Sequence, residues 1–186
     1  LKLSMKVKMN YTDPDGKFHG LRKLQFHSMN NDPSLMREML GYGLFREMGI
    51  AAPRTAPVRL ILNGEPAGLF VLVEQIDGRF TRARFSDGGK GNVYKEVWPM
   101  YQDRGVYLDA LTTNEDEGPS VEKMMELERQ LVASTPEEAV AVSDSWIKRD
   151  YIANYIAVDR MIFNDDGIFH FYCYVPLGQG NNPGPC

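Results

Sequence analysis

The sequence predicts an α+β fold, strand-rich first and helical afterwards. Three observations carry this. Apolar and polar residues alternate over much of 1–73; one strong helical period interrupts that alternation; and from residue 119 onward the period is helical throughout.

The elements follow in order. "KLSMKVKMNY" alternates as a half-buried strand does, "DPDG" (13–16) is turn chemistry, and "GLRKLQFHS" (20–28) alternates again, so residues 1–28 read as a hairpin. Leu21, Lys23 and Gln25 share one face, and Arg22, Leu24 and Phe26 the other. "NDPSLMREMLGYGLFREMGI" reads as a helix. Asp32 is its cap, Pro33 its first position and Gly49 its left-handed end, with Leu35, Met36, Met39, Leu40 and Met48 at helical spacing. Its methionines read as core filler. "APVRLILNGEPAGLFVLVEQID" is a hairpin around Asn63-Gly64, the pair that favours a type I′ turn. "GNVYKEV" (91–97) reads as a short strand, and 99–118 as loop. "PSVEKMMELERQLV" and "STPEEAVAV" begin two helices. "SWIKRDYIANYIAVDRMIF" makes a third, with Ile152, Tyr155, Ile156 and Ile162 on one side. The expected division is a small lobe over 1–98, a linker over 99–118 and a partial helical lobe over 119–186.

At 186 residues the chain is long enough for one domain or two small lobes, and 43% hydrophobic with 25% charged residues is an ordinary globular balance. A net charge of −4 offers no general field for nucleic acid. The basic stretch Arg79, Arg82, Arg84 and Lys90 and the acidic "NEDEG" (114–118) read as solvated surface. No run reaches the length of a membrane span, and the start has no signal-peptide order; its first residues already alternate like a strand, which suggests a chain that begins inside a larger protein. Cys173 and Cys186 bracket "YVPLGQGNNPGP". They are too few for a four-cysteine zinc site, and they stand either as a disulfide, which would imply an oxidising compartment, or as two unpaired thiols.

The chemistry-bearing candidates are few. "FNDDG" (163–167) sets Asp165 and Asp166 just past a helix, where the negative end of the helix dipole disfavours carboxylates. Either this is a solvated turn, or it is a carboxylate base or metal ligand fixed at a rigid helix end. Lys23 in a strand and Glu38 early in the next helix form a pair of the type kinases use to position a nucleotide phosphate; the alternative is ordinary surface charge. His19, His27 and His170 lie at no ligand spacing, though His170 is near the acids. GxSxG, HExxH, Walker A and GxGxxG motifs are absent.

Three phrases carry a resemblance to a known family: "RKLQFHSMNNDPSLMREMLGYGLFREMGIAAPRTAPVRLILNGEPAGLFVLVEQID", "GNVYKE" and "YIANYIAVDRMIFNDDG". Together they resemble the CotH kinase family over nearly the whole chain. The resemblance implies an atypical protein-kinase-like fold, with a β-rich small nucleotide-binding lobe followed by a helical lobe that is incomplete at its C-terminus. It implies an ATP-dependent kinase acting on Ser or Thr of coat, envelope or secreted proteins, with Mg or Mn bridging the phosphates. Lys23 then matches the phosphate-positioning lysine, with Arg22 as the other register, and Glu38 matches its helix partner. Glu74 and Gln75 fall where the strand leads to the hinge beside adenine, and Lys95 is a second basic candidate. Asp166 matches the catalytic aspartate, with Asp165 as the alternative register.

The chain departs from the pattern. A kinase-like site also needs an Asn shortly after the catalytic Asp and a later metal-binding Asp. Five residues after Asp165 stands His170, and five after Asp166 stands Phe171. Residues 173–186 resemble a Cys-bounded insertion, which puts the expected metal ligands beyond Cys186. A non-catalytic kinase-like scaffold or assembly module is the competing expectation, and an unrelated α+β binding domain is a third.

Overall fold

The computed structural model describes residues 2–114, 121–167 and 169–176. It is a mixed α+β structure that divides into two compact units, residues 1–76 and 77–186.

In the first unit, β1 (Met5–Lys8) and β2 (Lys23–His27) form the expected antiparallel hairpin, with Met5 opposite Phe26 and Lys8 opposite Lys23. Its connection tightens at Gly16, whose N–H donates to the Asp13 carbonyl at 2.9 Å. A Cβ there would lie 2.3 Å from the Met9 carbonyl oxygen, so only glycine fits. Strands β3 (Thr55–Leu62) and β4 (Glu65–Val73) form the second hairpin. Asn63 (φ 52°) and Gly64 (φ 86°) are both left-handed, as a type I′ turn requires. The sheet order is β1-β2-β4-β3, so β3 is an edge and can hold Pro57, which has no N–H to donate.

Helix α1 (Arg37–Glu47) starts four residues later than Pro33 would have set it. Leu35 is left-handed (φ 56°), which breaks the helical run. Asp32 is nevertheless used as an end group, because its carboxylate accepts the Arg37 N–H at 2.7 Å and the Ser34 N–H at 3.0 Å. At the other end Gly49 (φ 77°) donates to the Arg46 carbonyl and Ile50 to that of Phe45, a Schellman closure that buries Ile50. Met29, Val71 and Val73 form the core of this unit, with Leu35, Met39 and Tyr42 packed on it.

The second unit contains α2 (Gly78–Arg84), β5 (Asn92–Lys95), α3 (Arg104–Asp109), α4 (Glu122–Ala133), α5 (Pro136–Trp146), α6 (Arg149–Met161) and β6 (Tyr172–Val175). Strand β5 pairs antiparallel with β6, setting Lys95 opposite Tyr172 and Tyr94 opposite Cys173. This is why residues 77–98, expected with the small lobe, pack with the second unit instead. The expected linker contains α3, whose Tyr107 is fully buried and joins Tyr94, Val97, Leu111, Val121, Met124 and Cys173 in one core. Helix α5 starts with a capping box between Thr135 and Glu138. On α6 the buried residues are Val158 and Asp159, while Ile156 and Ile162 are exposed.

Arg79, Arg82 and Lys90 are exposed, in keeping with a solvated basic surface, but Arg84 is half-buried with its guanidinium 3.8 Å over the Phe80 ring, so the expectation fails there. The acidic stretch from 115, and Cys186 with the pairing expected of it, lie outside the described residues. Among the described residues, no helix is long and apolar enough to cross a membrane.

Candidate functional site

The two acids sit beyond the helix, not in it. Helix α6 closes with N–H groups of Ile162, Phe163 and Asn164 donating to the carbonyls of Val158, Arg160 and Asp159. These bonds satisfy the orphan carbonyls that would otherwise repel carboxylates. Phe163 is left-handed (φ 53°) and 87% exposed, an uncommon conformation for a bulky residue and one that must be held by its surroundings. The chain then turns sharply. Gly167 donates to the Asn164 carbonyl, and Phe169 and His170 both donate to the Asp166 carbonyl at 2.9 Å. Asp165 and Asp166 are exposed, with their backbone fixed on both sides.

The turn is tied to β5 through side chains. Glu96 follows β5 in a left-handed conformation (φ 56°), and its N–H donates to the Phe171 carbonyl at 3.0 Å. Its carboxylate meets His170 Nδ1 at 3.0 Å and Lys95 Nζ at 3.1 Å. His170 and then Lys95 hold the Glu96 carboxyl below its ordinary range, and Glu96 in turn raises the Lys95 ammonium. Lys95, one of the expected basic residues, therefore reaches the Asp166 backbone through Glu96 and His170. Glu96 was not among the expected residues. Its partner lies 74 positions away, and only the β5–β6 pairing brings them together.

Lys23 and Glu38 are not paired. Glu38 instead meets His27 Nδ1 at 2.7 Å. The reason is reach. Lys23 opens β2 and His27 closes it, about 13 Å further along at roughly 3.3 Å per residue, and the chain enters α1 from the His27 end. Lys23 is exposed and makes no ion pair among the described residues; Arg22, the other register, is also exposed.

Glu74 forms a two-pronged contact with Arg54, Nη2 to Oε1 at 2.7 Å and Nε to Oε2 at 3.2 Å. The backbones of the same two residues are joined, Glu74 N–H donating to the Arg54 carbonyl. This clamps the end of β4 to the approach of β3. The hydrogen bond and charge of Glu74 raise the Arg54 guanidinium further. Gln75 Oε1 is buried without a donor, while its Nε2 donates to the Ile76 carbonyl at 3.3 Å.

No group of three or more His, Cys, Asp or Glu side chains is placed to hold a metal ion among the described residues. Asp165 and Asp166 supply two neighbouring carboxylates, which fit a magnesium or manganese ion only when phosphate oxygens complete its shell.

The chain's relatives point the same way as its motifs. The family model described as CotH kinase protein matches residues 1–182. The chain is similar to the inner spore coat protein H of Bacillus subtilis (strain 168), 29% identical over 72 residues, which is 38% of this chain and 20% of that protein. It is also similar to an inner spore coat protein H-like protein of the same strain, 36% identical over 55 residues, 30% of this chain and 18% of the other. The matched stretches thus span about a fifth of the length of these relatives.

Proposed function

Because the chain belongs to the CotH kinase protein family, we propose that it carries the phosphoryl-transfer site of an atypical protein kinase acting on Ser or Thr hydroxyls. The observation that supports this most directly is the acidic turn. Asp165 and Asp166 stand exposed on a backbone fixed by Asn164, Phe169 and His170, beside a lysine held by Glu96. A carboxylate so fixed can accept the proton of an attacking hydroxyl.

Asp166 is the base in this reading, and Asp165 beside it is the second candidate. Lys23 and Gln75 would hold the nucleotide, the first by charge and the second by its buried acceptor. Glu38 and Glu74 act at one remove, through His27 and Arg54. ATP, when bound, supplies the transferable γ-phosphoryl group. Lys95 keeps positive charge near the turn. The word "spore coat" in both relatives' names supports a coat or envelope protein as the substrate class and location.

The test is phosphate transfer from labelled ATP to a Ser/Thr-rich acceptor protein. Asp166→Asn is expected to lower transfer by at least about 100-fold, the low end for loss of a general base, with circular dichroism and melting temperature unchanged. Undiminished transfer by a folded Asp166→Asn protein excludes Asp166 as the base.

A second reading is a non-catalytic scaffold or assembly module. It is favoured by His170 and Phe171, which stand where a kinase-like site has an Asn after its catalytic Asp. It predicts nucleotide-independent binding to a coat protein and no transfer by the unaltered chain.

A further inference from the structure

The acidic turn rests on a buried carboxylate. Asp159 lies on α6 with zero exposure, beside buried Val158 and one turn after half-buried Tyr155. A fully buried acid is rare unless something pairs with it. Asn164 Nδ2 donates to Asp159 Oδ1 at 2.8 Å, and the Asn164 N–H donates to the Asp159 carbonyl at 3.0 Å. Oδ2 has no hydrogen-bond donor but forms an ion pair with Arg160 Nη2 at 3.2 Å. Gly167 is pressed onto the same carboxylate, since a Cβ there would lie 1.6 Å from Oδ1. Tyr155, one turn earlier, donates its hydroxyl to the Gly167 carbonyl at 2.6 Å. Burial and then the Asp159 charge push the Tyr155 hydroxyl up to about 12, so it remains a donor.

We infer that Asp159 is the positioning residue of this site. Through Asn164 and the Gly167 backbone, it sets the orientation in which Asp165 and Asp166 are presented. Asn164 and Gly167 bracket the two acids, and both ends of that bracket touch one carboxylate. The left-handed Phe163 is the strained joint that lets Asn164 fold back onto it. The catalytic consequence rests on the kinase reading above; the anchoring of the turn does not.

The pair can be reversed as a test. Asp159→Asn removes the charge and weakens the bond to Asn164. Asn164→Asp sets two carboxylates within contact distance. The double variant Asp159→Asn/Asn164→Asp restores a charge-assisted bond with donor and acceptor exchanged. Two measurements are made on the whole chain: amide hydrogen exchange over 163–171, and phosphate transfer with separate nucleotide affinity. Each single variant is expected to exchange at least about tenfold faster at Gly167, Phe169 and His170, with helix α4 unaffected. Transfer falls by a similar factor at unchanged nucleotide affinity. The double variant recovers most of both. Should Asp159→Asn not fold, Asn164→Ala takes its place, since it removes the donor and leaves the buried group.

Wild-type exchange in both single variants, or a double variant no better than Asn164→Asp, overturns the assignment. Unchanged transfer despite a loosened turn overturns its catalytic part while the kinase reading stands. If the unaltered chain transfers no phosphate, as its missing metal ligands would allow, exchange alone decides whether Asp159 anchors the turn.

Discussion

At the scale of single residues, Asp32 shows how environment sets the task of a carboxylate. Asp32 is 8% exposed. Burial raises its carboxyl, but donors from Ser34 and Arg37 outweigh that and draw it down to about 2. A lowered value means the folded state favours the ionised form. Its contribution is complete above the ordinary value of 3.8 and is lost as pH falls toward 2. Asp32→Asn is therefore expected to flatten the acid limb of a melting-temperature profile between these two values while lowering stability at neutral pH. An unchanged acid limb would mean that other groups carry it. Gly167 is limited by space rather than by backbone angle. Gly167→Ala drives a methyl into Asp159 and Asn164 Nδ2, and is expected to cost about 1–3 kcal/mol, as overpacking does, read by denaturant unfolding.

At the scale of elements, local chemistry decided what could be read in advance. The Asn63-Gly64 turn and the closing Gly49 each depend on neighbours within a few residues and appear where the sequence set them, and the helix expected to begin in "STPEEAVAV" does so, with Thr135 rather than Ser134 as its cap. Thr135→Ala should cost about 1 kcal/mol of stability, the usual value of a lost cap, measured by thermal unfolding. Helices α2 and α3 were not legible. They are short, one opens on a glycine and the other on Arg-Gly, and their caps Asp77 and Asp103 also fit turns. The site was legible in part for the same reason. "NDDG" announced itself as a local phrase. The Glu96–His170 contact needed the pairing of β5 with β6, and Glu38 took His27 because sheet and helix geometry placed it nearer than Lys23. Asp159 left no usable signal, because Ile156 and Ile162, which marked the expected apolar side, are exposed while Asp159 is buried beside Val158.

At the scale of the whole molecule, the proposed reading turns on which parts of a phosphate-handling apparatus the chain would supply. A net charge of −4 gives no overall attraction for a nucleotide, so on the proposed reading affinity would come from placed groups such as Lys23 and Gln75. The described residues contain no three-ligand cluster for a metal, only the adjacent acids of the turn. A divalent ion would then arrive as part of the nucleotide and gain little from the protein. Titration of ATP, with magnesium and again with excess chelator, is expected to give affinities within about tenfold of each other, a difference below about 1.4 kcal/mol. Lys23→Ala should weaken both titrations alike, because its charge acts on phosphate whether or not the ion is present. A much larger dependence on magnesium would show that Asp165 and Asp166 form a stronger metal site than two neighbouring carboxylates should. The turn would then be a metal clamp first and a base second.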